Sequence, residues 1–243
     1  MQEPINEQCS PEEGAFLLVD KPLDWTSFDV VAKIRNTYRK SGLKCKVGHC
    51  GTLDPKATGL LILATGRKTR QISGLEVLDK VYEGTIRLGA VTDSHDTETE
   101  EYGHCDTGHL TLSKIRETAA SFIGSSLQQP PMHSAVWHNG KRLYEFARKG
   151  EVVRDRKVRE IVIHRFEITA VTLPMVSFEL EVSKGAYIRV IAHEFGNALG
   201  VGGYLASLRR TAIGSYHIAA SRSVSETVDV IASGCSAVSG QRS

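Results

Sequence analysis

The sequence predicts an α+β fold, a mixed sheet flanked by helices. Strand-like and helix-like segments alternate irregularly, without the regular strand–helix–strand rhythm of a wound parallel sheet. Many neighbouring strand segments can pair antiparallel. At 243 residues, 41% of them hydrophobic, the chain suits one large domain or two small ones and can bury a core without disulfide or metal staples.

In order along the chain, Phe16 to Val19 reads as a short apolar strand ended by Asp20-Lys21-Pro22. Thr26-Ser27-Phe28-Asp29 reads as a capping box, with Val30, Val31, Ile34 and Tyr38 as the apolar stripe of the helix it opens and Gly42 as its stop. Gly48 to Pro55 holds two glycines and a proline and reads as a shaped loop. Gly59 to Thr65 is continuously apolar, a strand covered on both faces. Lys80 to Leu88 alternates, with Tyr82, Ile86 and Leu88 on one side. The acidic stretch after it reads as loop. Leu112, Ile115, Ala119 and Phe122 keep helical spacing behind a Thr111 cap, with Leu110 placed to staple onto Ile115. Asn139-Gly140 marks a tight turn, followed by a short helix from Leu143 to Lys149 that Gly150 stops. Val158 to Val171 and Val176 to Ser183 read as strands. Ile188, Ile191, Phe195 and Leu199 form a helix stripe ended by Gly200, and Ser223-x-x-Glu226 opens a last short helix before a Ser/Gly-rich tail.

The net charge of +2 hides segregation. Residues 33–46 hold six basic and no acidic residues, and residues 141–159 hold eight basic against three acidic. Residues 88–113 hold six carboxylates and no Lys or Arg, and the first thirteen residues carry four Glu. Such a chain can present a basic face despite its near-neutral sum; the plainer alternative is solvated helix faces and an acidic loop. Five cysteines without a Cys-x-x-Cys pair or a signal peptide point to a reducing, cytoplasmic setting. The longest apolar run, Leu60 to Ala64, is far too short to cross a membrane.

Asp54, between Leu53 and Pro55, could serve as nucleophile or general base if its loop holds it still, or could simply bond its own backbone in a tight turn. Arg189, after Tyr187 at a helix start, could hold a carboxylate bidentately, or form a surface salt bridge. Tyr82 sits among apolar positions, either as core with a satisfied hydroxyl or as a stacking platform or base. Cys45, His49 and Cys50, with His104, Cys105 and His109, could in principle bind zinc, but the spacing fits no common framework. Gly196 to Gly203 does not follow a strand into a helix as a dinucleotide site requires. The 141–159 stretch interleaves basic residues with Tyr144 and Phe146, a mixture suited to phosphate contact and base stacking in RNA.

Six segments occur in a telling order: Asp20-Lys21-Pro22 with Thr26-Ser27; Gly48-His49-Cys50-Gly51-Thr52-Leu53-Asp54-Pro55-Lys56-Ala57-Thr58-Gly59-Leu60-Leu61; Lys80-Val81-Tyr82; Gln129-Pro130-Pro131-Met132-His133-Ser134-Ala135; Ser183-Lys184-Gly185-Ala186-Tyr187-Ile188-Arg189; and Tyr204-Leu205-Ala206-Ser207-Leu208-Arg209-Arg210. Through them the chain, from about residue 14 to about residue 228, resembles the TruB-type tRNA pseudouridine synthases. The departures are Cys50 where the family commonly has Thr, His133 where it has Tyr, and His193-Glu194-Phe195-Gly196 in place of a more usual Asp-Leu-Gly ending.

The resemblance implies the pseudouridine synthase fold, with a largely antiparallel central sheet. It implies isomerisation of uridine 55 in the T-loop of tRNA, with the target base flipped into a pocket. It assigns Asp54 as nucleophile, Arg189 as its ion-pair partner, and Tyr82 as the ring that stacks on the uracil and takes part in the chemistry. Tyr187 and Leu208 line the uracil pocket, His49 packs against displaced T-loop nucleotides, and Lys21 supports the site. Residues 129–159 match an RNA-gripping insertion, with Lys141, Arg142, Arg148 and Lys149 as its phosphate contacts. No cofactor or metal is implied. The expected partner is the T-arm of tRNA and the expected state a monomer. The expected organisation is an acidic tail over 1–13, a catalytic domain over 14–230 and a flexible tail over 231–243, with no C-terminal PUA domain. The alternative is an RNA-folding module for which modification is secondary.

Overall fold

The structure, a computed structural model, describes the backbone of residues 12–239 and side chains through residue 234. Most of the expected acidic N-terminal tail lies outside the described residues.

The elements run β1 (Phe16–Lys21), α1 (Ser27–Lys40), β2 (Val47–Cys50), β3 (Ala57–Thr65), a 3-10 turn (Gly66–Gln71), α2 (Ile72–Glu76), β4 (Lys80–Leu88), α3 (Leu112–Ser121), β5 (Gly124–Gln128), β6 (Trp137–His138), β7 (Lys141–Arg142) and α4 (Leu143–Ala147). They continue with β8 (Arg159–Thr172), β9 (Met175–Val182), α5 (Ile188–Ala198), β10 (Gly203–Ile213), β11 (Tyr216–His217), β12 (Arg222–Ser223) and α6 (Val224–Ser239). The fold is α+β. The β1–β3, β2–β3, β5–β8, β6–β7, β8–β9 and β10–β11 pairings are antiparallel, whereas β1–β12 is parallel.

Two expectations change. Residues 48–50, the first part of the segment expected as loop, join Val47 in β2 against the end of β3. Helix α6 continues through residues 231–239, expected as a flexible tail. No helix among the described residues is long and apolar enough to cross a membrane.

The chain divides into two compact units, residues 1–80 with 209–243 and residues 81–208. In the first, the spatial order is β12-β1-β3-β10, with β2 also beside β3 and β11 beside β10. Strand β3 is buried on both faces because its residues alternate between two clusters. Leu61 and Leu63 join Val19 of β1, Val30, Val31 and Ile34 of α1 and Val224 and Ile231 of α6. Leu60 and Ile62 join Leu18, Cys50 and Ile213, with Ile72, Leu75 and Leu78 packed alongside. Each fully buried aliphatic side chain contributes about 1.5–3 kcal/mol. Helix α1 begins at Thr26, whose side chain accepts from the Asp29 N–H at 3.0 Å while the Asp29 carboxylate accepts from the Thr26 N–H at 2.8 Å.

In the second unit the order is β10-β4-β9-β8-β5. Its core is aromatic. Phe122 beyond α3, Phe166 of β8, Phe178 of β9 and Phe195 of α5 meet at centroid separations of 5.3–6.1 Å, several of them edge to face. The acidic 88–113 stretch is irregular, as expected, yet it is not merely solvated. Tyr204 donates to Glu101 at 2.6 Å, Arg87 pairs with Glu101 at 3.1 Å, and Asp96 is buried.

Candidate functional site

In the first unit Asp54 is half-buried in the turn between β2 and β3. Ser27, at the first turn of α1, is buried and clamps the residue before Asp54. Its hydroxyl accepts from the Leu53 N–H at 2.8 Å and donates to the Leu53 carbonyl at 3.1 Å. On the other flank the Asp24 N–H donates to the Pro55 carbonyl at 2.9 Å, and Lys56 pairs with Asp24 at 2.7 Å. The Ala57 N–H closes the turn on the Asp54 carbonyl at 3.0 Å.

Beneath this turn lies Arg210, 1% exposed on β10. Its Nη2 donates to the Gly51 carbonyl at 2.9 Å and its Nε to the Leu60 carbonyl at 2.8 Å. Two glycines lie beside it, and at the second there is no room for a side chain. Gly51 has φ +67°, and a Cβ there would sit 3.4 Å from the guanidinium. Gly59 has φ +104°, and a Cβ would come within 2.4 Å of the Arg210 carbonyl oxygen, so only glycine lets β10 close on β3.

Lys21 is fully buried, and its ammonium donates to the carbonyls of Pro22 at 2.8 Å and Trp25 at 2.6 Å. Burial lowers its pKa to about 8, opposed by the negative charges of Asp54 and Asp24. Lys21 therefore fixes the loop between β1 and α1, and its charge interacts with that of Asp54. His49 lies on β2. Burial first, then the charge of Arg210, pushes its pKa down, which favours a neutral ring. Cys50, the departure from Thr, fills an apolar site among Leu18, Leu60, Ile62 and Ile213.

In the second unit Arg189 is 4% exposed, so the surface salt bridge does not apply. Its Nη1 donates to the Ser94 carbonyl at 3.1 Å, its Nη2 to the His133 carbonyl at 2.9 Å, and its Nε lies 3.5 Å from the Asp96 carboxylate. Asp96 was hidden in the acidic stretch; its single sequence cue is an acid embedded in Thr-Asp-Ser-His-Asp-Thr, which spacing alone does not separate from its neighbours. The contact between residue 133 and Arg189 is made by the His133 backbone carbonyl, so it does not depend on which side chain stands there. Tyr187, the residue capping α5, is fixed through its own backbone. Buried Gln128 accepts from the Tyr187 N–H at 2.7 Å and donates to its carbonyl at 3.1 Å. Tyr82 is buried at 8% exposure on β4, and Leu208 is half-buried on β10.

Behind Arg189, His95 and His193 stack with ring centroids 4.0 Å apart and planes within 3°. Burial, then the neighbouring charges of His193 and Arg189, lowers the His95 pKa to about 4. Burial pushes the His193 pKa down as well, so both rings favour the neutral form, and the stack gives His193, another departure, a structural place.

The four basic residues singled out in the 141–159 stretch divide into two kinds. Lys141 and Lys149 are exposed. Arg142 lies 4.1 Å over the Trp137 ring and donates to the Ala135 carbonyl, and Arg148 lies 5.2 Å from the Tyr144 ring. Arg156 ties the segment's ends together, donating to the Pro130 carbonyl at 3.0 Å and to Gln129 at 2.8 Å. Among the described residues no group of three or more His, Cys, Asp or Glu side chains is arranged to hold a metal ion.

The chain as a whole is similar to known proteins. The family model described as TruB family pseudouridylate synthase (N terminal domain) matches residues 36–188. A protein of Chlorobium chlorochromatii named tRNA pseudouridine synthase B is 70% identical over 92% of this chain and 88% of its own length. One of the same name from Chlorobaculum tepidum is 67% identical over 93% of this chain and 95% of its own length. A solved Cbf5-Nop10-Gar1 complex contains a chain that superposes with a TM-score of 0.68 at 28% identity, covering 93% of this chain; this chain spans 56% of that one. The chain belongs to the TruB family of pseudouridylate synthases, which are isomerases.

Proposed function

We propose that this protein converts uridine 55 in the T-loop of tRNA to pseudouridine, with Asp54 as the nucleophile. The observation that carries the reading is the way the Asp54 turn is held. Ser27, Asp24 and Arg210 each fix a backbone group within three residues of Asp54. A carboxylate so placed is presented in one geometry before substrate arrives, as nucleophilic catalysis requires. The tRNA substrate is supported by the names of relatives that align over most of their length.

The target base must leave its stack to reach a carboxylate on a protein turn, so the T-arm is opened and the uridine flipped. Asp54 assists cleavage of the bond between C1′ and N1. The uracil turns, C5 bonds to C1′, the C5 proton leaves, and N1 takes up a proton. The atoms balance as an isomerisation, with no oxidation and no group transferred. Arg189 is the cation proposed to serve the Asp54 carboxylate, and Tyr82 to stack on the uracil. Tyr187 and Leu208 line the pocket, while His49, neutral, packs against displaced bases. Lys141 and Lys149 contact phosphate.

Transfer RNA carrying tritium at uridine C5 tests the reading. Release of tritium to water, with pseudouridine mapped at position 55 and nowhere else, is expected. No release from a folded, RNA-bound protein, or product at another site, would contradict it.

A further inference from the structure

The β6–β7 hairpin carries an aromatic side chain that the proposed chemistry does not use. Trp137 is 60% exposed. It stands opposite Arg142 in the hairpin register, and the Arg142 guanidinium lies 4.1 Å from the ring centroid, covering one indole face. With that face covered, so large an exposure leaves the other face to solvent. The indole is also held in place. The turn has Asn139 at φ +47° and Gly140 at φ +80°, the pattern of a tight two-residue hairpin. The Leu143 N–H donates to the Val136 carbonyl at 2.9 Å and the Tyr144 N–H to the Ser134 carbonyl at 3.1 Å. Arg142 is anchored by Ala135 through its side chain and by Glu145 through its N–H at 2.9 Å.

A fixed, half-covered indole in a hairpin that also exposes Lys141, on a segment that exposes Lys149 further along, suits one kind of surface, a nucleobase with its own phosphates. Apolar protein surface would leave those lysines without counter-charges. We propose that the open face of Trp137 is a stacking platform for an unpaired base of the RNA loop, with Arg142 completing a guanidinium–indole–base stack. The inference rests on the tRNA reading and adds to it a base contact away from Asp54. The indole costs little entropy to use, since the hairpin already fixes it.

Trp137 and Trp25 are the two tryptophans, so intrinsic fluorescence reports on the platform directly. The experiment titrates wild type, Trp137→Phe and Trp137→Ala with a T-arm stem-loop RNA and with the same stem closed as a continuous duplex. Wild-type emission should quench on binding the stem-loop. Trp137→Phe should lose most of that quench yet keep most of the affinity. Trp137→Ala should bind the stem-loop about ten-fold more weakly or worse, as loss of one base stack predicts, and the duplex nearly as wild type does. Full quench in Trp137→Phe, unchanged stem-loop affinity in Trp137→Ala, or equal losses on both RNAs would overturn the platform while leaving the tRNA reading standing. Failure of wild type to bind the stem-loop, together with no tritium release from tRNA, would overturn both.

Discussion

The Asp54 turn and the 129–159 segment both concentrate polar chemistry, but they hold it in opposite ways. Around Asp54 the cations are inside. Arg210 and Lys21 are buried, and each donates to two backbone carbonyls. In the 129–159 segment, Arg156 apart, most charges lie outside, on aromatic rings or in water. Buried donors spent on carbonyls fix a backbone, because each carbonyl left alone would cost about 1–3 kcal/mol. Exposed charges fix little and stay available to a partner. Substitutions in the first region should therefore act on stability and rate together, and those in the second on RNA affinity and its salt dependence.

The largest effect expected is at Arg210. Arg210→Met strands the Gly51 and Leu60 carbonyls and should cost more than about 3 kcal/mol in denaturant unfolding. Arg210→Lys should recover only part of this, since one ammonium does not reproduce the fork that spans both carbonyls. A loss below about 1 kcal/mol would show that the buried guanidinium does not organise the turn.

Ser27→Ala comes next. It removes both hydrogen bonds to Leu53 and should cost about 1–3 kcal/mol, with a fall in kcat larger than any change in KM. Unchanged kcat would show that the turn holds Asp54 without that clamp.

The pH dependence sharpens the comparison. Lys21 has a folded pKa of about 8 against an ordinary 10.5. Between these values the unfolded chain binds more protons, so this group's contribution to stability grows as pH rises from 8 to 10.5. Lys21→Met should flatten that alkaline limb. His95 has a folded pKa of about 4 against 6.5, so its contribution is lost as pH falls from 6.5 toward 4. His95→Asn should flatten the acid limb, and Asn tolerates the positive φ of +61° at that position. Unfolding free energy measured across both windows checks the two slopes; a limb left unchanged by its variant would sink that assignment.

The smallest stability effects belong to the second region. Lys141→Ala with Lys149→Ala should leave unfolding within about 0.5 kcal/mol, but lower the slope of log affinity against log salt by roughly one per lysine. An unchanged slope would show that neither touches phosphate.

Much of this contrast was legible in the sequence, for identifiable reasons. Local patterns fixed α1 through the Thr26–Asp29 box, β3 through its unbroken apolar run, and the β6–β7 turn through Asn139-Gly140. The motif order singled out Asp54, Tyr82 and Arg189, whose roles are proposals. What stayed hidden depends on distant partners. Strand β10 escapes the alternation rule because Arg210, a charge, occupies a core position. Strand β2 is too short to show a period and gains its identity from pairing with β3. Asp96 and the His95–His193 stack become visible only when residues nearly a hundred positions apart meet. The rings over which Arg142 and Arg148 lie are near in sequence, yet composition does not distinguish a stacked arginine from a free one.

The central claim is that Asp54 is the nucleophile. Tritium release from tRNA labelled at uridine C5 tests it most directly, comparing wild type with Asp54→Asn at equal RNA occupancy. The account predicts release by wild type and none by Asp54→Asn, with RNA binding retained in both. Equal release from the two proteins would contradict it.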